Sequence, residues 1–302
     1  MKSLQLLCIS LLAACVLSCK SDASSSSSDN MPDPYTTAKT ALEKSPNQGT
    51  ARLYIDEIKK KLQTTDDQLP LLQEGLAIAE KYQMAPTAIG FLTPLVKKYA
   101  DSQPEGEYTA KLASALHDMS RVEASQILAS AYFQSYPEGK YAAALRAKMG
   151  SETIDPDQII QTVAESVFVD PDKYGINRAN AQKVVDVCEA YALGFPSSDQ
   201  APVNLYKAGE MARTLQTYTK AISIYDWIQE KYPTFEKTPT VLFLKGFMME
   251  NELKDKEAAR GLYQEFLTKY PDNELADDVE FLLKNIDKTE EQIRQLIEKG
   301  SK

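Results

Sequence analysis

An aromatic residue followed by proline closes an apolar-periodic run at Tyr136-Pro137, Phe195-Pro196, Tyr232-Pro233 and Tyr270-Pro271, and Tyr99 holds the same place without the proline. The successive spacings are 37, 59, 37 and 38 residues. Proline cannot continue the helix before it, and it pushes the preceding residue out of the α region. Each aromatic-proline pair therefore marks a helix end, with a ring placed to plug the end of the core between paired helices. A recurrence of about 34–40 residues is what stacked helix pairs require, because each pair buries its apolar face only against the next.

The residues ahead of each mark keep one register. Four, seven and eleven positions before Tyr232 lie Ile228, Tyr225 and Ala221, and before Tyr270 lie Phe266, Tyr263 and Ala259. The same offsets give Tyr191, Cys188 and Val184 before Phe195, then Tyr132, Ala129 and Ser125 before Tyr136, and Leu95, Leu92 and Ala88 before Tyr99. Offsets of four, seven and eleven share one helical face. Apolar residues recur at helical spacing from Pro34 onward, and strand-like alternation is hard to find. The fold expected is all-α, built from antiparallel helix pairs.

Residues 202–235 resemble a tetratricopeptide repeat. Leu205, Ala208, Gly209 and Ala212 stand at the first-helix signature positions, and Ala221, Tyr225, Ile228 and Pro233 at those of the second helix. The next unit follows with Gly246, Ala259, Tyr263, Phe266 and Pro271 and one extra residue in its turn. The resemblance implies a tetratricopeptide-type α-solenoid, well matched over 197–287 and degenerate over 35–196. The long unit Asp155–Pro196 opens on an N-cap arrangement of Asp155, Pro156 and Gln158, and its turn, FVDPDKYGINR, is several residues too long. Residues 288–302 read as a capping helix and tail, with Ile293, Leu296 and Ile297 on one face. Tetratricopeptide solenoids bind protein segments along the groove lined by first helices. Carried onto this chain, that implies partner contacts at Tyr206, Lys207, Glu210 and Arg213, then at Phe243, Phe247 and Glu250.

The first 18 residues read as a bacterial lipoprotein signal peptide. Met1-Lys2 starts it, an apolar run from Leu4 to Val16 follows, and Val16-Leu17-Ser18-Cys19 resembles a lipobox. Leu12-Ala13-Ala14-Cys15 fits the pattern as well; Cys19 is preferred because the chain turns polar directly after it. Lipidated Cys19 would open a flexible Ser-rich tether over 19–34. Two or more acyl chains give stable membrane attachment. Lys20 after the cysteine points, by the sorting rule of lipoprotein families, to the outer membrane and its periplasmic face. Lys20-Ser21-Asp22 is also similar to surface-export tags, which keeps the cell surface open as an alternative. With Cys8 and Cys15 removed and Cys19 acylated, Cys188 is the one cysteine left, so no intrachain disulfide is expected. The formal net charge of −9 does not favour nucleic acid or an anionic bilayer.

Catalytic signals are sparse. The only histidine is His117, which lacks the second His or Cys that metal sites use. Asp170-Pro171-Asp172 lacks the alternating oxygen ligands of a calcium loop. No phosphate-binding glycine loop occurs. Cys188 falls on the buried face of a repeat, which reads as a small hydrophobe rather than a nucleophile. Trp227, one step off the face of Tyr225 and Ile228, reads as half-exposed and packing. No cofactor or metal is expected. The expected function is that of a non-enzymatic, lipid-anchored scaffold that binds a protein of the cell envelope. The combination of lipobox, polar tether and repeats is similar to the lipoproteins of the barrel-assembly machinery and to the periplasmic coordinator of cell-wall constriction. The alternative is a glycan- or nutrient-binding outer-membrane lipoprotein, since nutrient-receptor lipoproteins also carry such helices behind a lipobox.

Overall fold

The computed structural model describes residues 32–102, 104–150, 155–168 and 175–289, with 291, 292, 294 and 295 beyond them. The signal peptide, Cys19, most of the tether, the Asp170-Pro171-Asp172 turn and the three apolar residues of the capping helix lie outside the described residues. What is described is all-helical, with no strand among the described residues. Fourteen α-helices are described: α1 (Pro34–Lys44), α2 (Gln48–Leu62), α3 (Leu69–Lys81), α4 (Ala85–Tyr99), α5 (Glu107–Asp118), α6 (Val122–Ser135), α7 (Ala142–Met149), α8 (Pro156–Glu165), α9 (Arg178–Gly194), α10 (Gln200–Thr214), α11 (Tyr218–Lys231), α12 (Thr238–Asn251), α13 (Lys256–Lys269) and α14 (Ala276–Asn285). They pack against their neighbours in succession, as an α-solenoid of helix pairs. None of them is long and apolar enough to cross a membrane.

The register dictates this packing. All fifteen inner positions read from the sequence, from Ala88, Leu92 and Leu95 through Ala259, Tyr263 and Phe266, are buried. Four turns place a left-handed residue five positions ahead of the small buried one: Gln83 before Ala88, Ser120 before Ser125, Gln216 before Ala221 and Lys254 before Ala259. Each left-handed residue ends the first helix of its pair, and the chain after it bonds back to that helix. Met84, Arg121 and Thr217 donate their N–H groups to Ala79, Leu116 and Ala212 at 2.8, 2.9 and 2.9 Å. The α12–α13 turn carries the extra residue, so there Leu253 donates to Met248 and Asp255 to Met249. Ser125, the one polar residue at a small position, is satisfied by donating to the Ala113 carbonyl at 2.9 Å.

The second helices end alike. Tyr136, Phe195, Tyr232 and Tyr270 have φ between −137° and −127° and ψ between 53° and 67°, outside the α region as a following proline demands. Tyr99, without its proline, stays helical, and the chain runs on into a 3-10 turn at Ala100–Ser102. The end rings are only partly covered: Tyr136 is 36% exposed. They lean on the ring one turn back, as Phe195 does on Tyr191 at 5.1 Å and Tyr270 on Phe266 at 5.6 Å, rather than sealing the core.

The 59-residue spacing has a structural cause. After Tyr136 the chain bonds back at Gly139 and Ala142 just as it does after Phe195, Tyr232 and Tyr270, so α7 begins as a first helix. It stops after eight residues at Gly150, whose φ is 91°, a conformation that suits glycine. Helix α8 is inserted before the second helix α9. Asp155 caps α8 by accepting from the Asp157 N–H at 3.0 Å, with Pro156 at the first turn. No full-length first helix separates α6 from α9, and the two pack directly on each other. A Cβ on Gly194 of α9 would stand 2.7 Å from the Ala131 Cβ of α6. Arg121 and Lys183 tie the pair at its other end, to Asp186 and Glu123.

A side chain of α4 also reaches α11. Lys97 lies 4.8 Å above the Trp227 ring and 3.5 Å from the Glu230 carboxylate. Trp227, read from sequence as half-exposed, is 5% exposed. Lys97 of α4 lies over it from far away in the chain, a contact that no local register reveals.

Candidate interaction face on the first helices

Helices α10 and α12 carry the residues named for partner contact, and the structure separates them into two kinds. The aromatics face outward from the core without leaving it. Tyr206 is half-buried, 6.4 Å from Tyr225 and 6.5 Å from Phe235. Phe243 and Phe247 are half-buried one turn apart, their rings 6.0 Å from each other. Burial holds the Tyr206 phenol above its ordinary pKa.

The charged residues are engaged within the repeats. Glu210 accepts from the Tyr225 hydroxyl and, at 2.9 Å, from Arg213. Glu250 accepts from the Tyr263 hydroxyl at 2.8 Å. Each glutamate thus fastens a first helix to the tyrosine of its second helix. Burial foremost, and then the glutamate, pushes the Tyr225 and Tyr263 phenols far above their ordinary pKa. Arg213 is raised by its bond to Glu210. Lys207 is exposed and donates to Asn204 Oδ1 at 3.4 Å. Asn204 is buried, and its Nδ2 has no hydrogen-bond partner among the described residues.

Glycine makes this geometry possible. A Cβ on Gly209 would meet Tyr225 Cε1 at 2.2 Å, and one on Gly246 would meet Tyr263 Cε1 at 2.6 Å. The tyrosine rings therefore lie across first-helix backbone, and their hydroxyls reach the carboxylates on the far side. The sequence reading did not assign this role to the two glutamates. Phe235, three residues past Tyr232, also belongs to the aromatic face and was missed, because it lies in the connecting loop, outside the helical register.

Other candidates fall as follows. Cys188 is fully buried, and burial pushes its thiol up to about 12, so it is a packed hydrophobe at neutral pH. His117 lies in the last turn of α5, partly exposed. Among the described residues no group of three or more His, Cys, Asp or Glu could hold a metal ion. No protein-family model matches the chain, and no curated protein matches it.

Proposed function

We propose that this chain is a non-enzymatic scaffold of the bacterial cell envelope, lipid-anchored at Cys19 to the outer membrane on its periplasmic face. In this reading the scaffold holds a protein partner along its first helices, in the manner of tetratricopeptide proteins. The observation that carries the reading is the half-buried aromatic set Tyr206, Phe235, Phe243 and Phe247. Aromatic anchors with polar residues around them are the composition of binding hot spots. The glutamates and Arg213 hold the anchors' helices in place, and Lys207 supplies an exposed rim charge.

Site-specific photo-crosslinking in cells tests it. A crosslinker at Phe247 is expected to capture a discrete envelope protein, and one at Glu257, exposed on the second helix α13, is expected to capture none. Equal capture at both positions, or at neither, would overturn the reading. For the anchor, Cys19→Ala is expected to abolish acyl labelling and to release the chain from the membrane fraction. Labelling that persists in Cys19→Ala and vanishes in Cys15→Ala would move the anchor to Cys15.

A further inference from the structure

The interrupted unit leaves a cleft of about 830 Å³ between the C-terminal ends of α6 and α9 and the start of α8, within the size range of ligand sites. Its apolar wall is made of Phe133, Tyr191 and Phe195. Phe133 lies one step off the buried register, Arg146 belongs to the truncated first helix α7 and Asp157 to the inserted helix α8, so the inner register of the second helices requires none of the three. The charges on the rim are unequal in their freedom. Arg146 is spent inside the fold: its guanidinium lies 5.0 Å above the Phe133 ring, donates to the Pro137 carbonyl at 2.6 Å and lies 3.8 Å from Glu138. Asp155 and Asp157 are exposed at the mouth and form no ion pair among the described residues. The Asp155 carboxylate accepts the capping bond from the Asp157 N–H. The N-terminus of α8 offsets part of one negative charge, which leaves the mouth anionic on a chain whose formal net charge is −9.

We infer that this cleft takes a basic amphipathic peptide segment. An apolar side chain would lie against Phe133 and Phe195, and a neighbouring lysine or arginine would meet Asp155 and Asp157. The carboxylates exclude an acidic segment by like-charge repulsion, and the aromatic wall gives a plain polycation nothing to bury. The inference names a partner chemistry for the proposed scaffold but places it at a second surface, away from the α10–α12 face.

The test is fluorescence-anisotropy titration of the mature chain with a short labelled peptide alternating lysine and leucine. Its glutamate-leucine counterpart, an all-lysine peptide and maltotriose serve as comparison probes. The lysine-leucine peptide is expected to bind, to weaken about tenfold in Asp157→Asn and again in Phe133→Ala, and to be unaffected by Glu257→Gln. Asp157→Asn is an exposed isosteric change, so it keeps the test valid if Phe133→Ala unfolds the unit. Absence of binding, equal binding by the all-lysine peptide, displacement by maltotriose, or an equal loss in Glu257→Gln would each overturn the inference. If peptide binding fails while the Phe247 crosslink persists, the scaffold reading stands and the cleft assignment alone is lost.

Discussion

Units α10–α11 and α12–α13 are built by one recipe, and the stretch from α6 to α9 keeps only part of it. In the two regular units a first-helix glycine accepts a second-helix tyrosine ring, and a first-helix glutamate takes its hydroxyl. In the interrupted stretch Ala129 and Cys188 stand where the tyrosines stand, and both are buried. Without a ring to accommodate, α6 and α9 close on each other through Ala131 and Gly194. The lesson is that one register supports two packings. A tyrosine ring at the middle position needs a glycine opposite it, and a small residue there lets the helices meet directly. The small residues preserve continuity of the core where the first-helix layer is broken into α7 and α8.

The largest expected effect distinguishes these two packings. Tyr225→Ala removes a fully buried ring and leaves Glu210 without its donor; a cost of about 3–5 kcal/mol is expected in urea denaturation. Cys188→Ala, at the equivalent position, removes a single sulfur and is expected to cost about 1 kcal/mol. Equal costs would mean that the ring adds nothing to the regular packing.

Added methyls come next. Gly209→Ala and Gly194→Ala are each expected to destabilise by about 1–3 kcal/mol, for different reasons. At Gly209 the obstacle is the Tyr225 ring, which full burial and its bond to Glu210 keep from swinging aside. At Gly194 it is the Ala131 Cβ, which yields only if two helices part. The double variant Gly209→Ala with Tyr225→Leu should recover part of the first loss. No smaller substitution at residue 131 than glycine exists to relieve the second, so Ala131→Gly is its matching rescue. Failure of both rescues would break the distinction.

How much of this was legible follows from locality. The aromatic-proline marks and the offsets of four, seven and eleven lie within single helices, so the inner positions of the second helices were readable, as was the extra residue before Ala259. The first-helix residues were placed by resemblance, and their side chains were read as facing a groove. Glu210 and Glu250 instead reach their own second-helix tyrosines, a contact set by helix pairing that spacing in one helix does not specify. Trp227 shows the same limit at longer range. Its cover, Lys97, comes from α4, a contact that no spacing within α11 specifies. The truncation of α7 was also hidden: Gly150 lies in an otherwise ordinary run, and the oddity legible in the unit that follows is its overlong turn, FVDPDKYGINR.

Acid should separate the N-terminal pair from the regular units. Burial pushes the Glu74 carboxyl up, but bonds from Tyr35, Tyr54 and Lys39 at 2.6, 2.7 and 3.1 Å outweigh it and hold the pKa below its ordinary value of 4.5. A depressed carboxyl contributes stability that is present above the unfolded pKa and is lost as pH falls through the folded one. The contribution is therefore intact at neutral pH and is lost as pH falls from the unfolded value, about 4.3, through the lower folded one. Hydrogen exchange of α1 and α2 is expected to rise across that window, and Glu74→Gln should flatten the rise. A rise unchanged in Glu74→Gln would place the acid sensitivity elsewhere.

The smallest effect has the opposite sign, and it tests whether glycine is required by geometry or merely tolerated. Gly90 in α4 and Gly261 in α13 lie on exposed helix faces, and a Cβ at either meets nothing within 4 Å. Glycine in a helix interior costs about 0.5–1 kcal/mol relative to alanine, through the backbone freedom it loses on folding. Gly90→Ala and Gly261→Ala should therefore each raise stability by about that amount. Gly209 and Gly261 face each other across the same comparison: both are helical glycines in regular units, and only the first lies beneath a ring. If both alanine variants lowered the urea midpoint, backbone strain rather than the tyrosine would account for Gly209. If Gly261→Ala raises it while Gly209→Ala lowers it, the ring-over-glycine contact is what the regular units are built around.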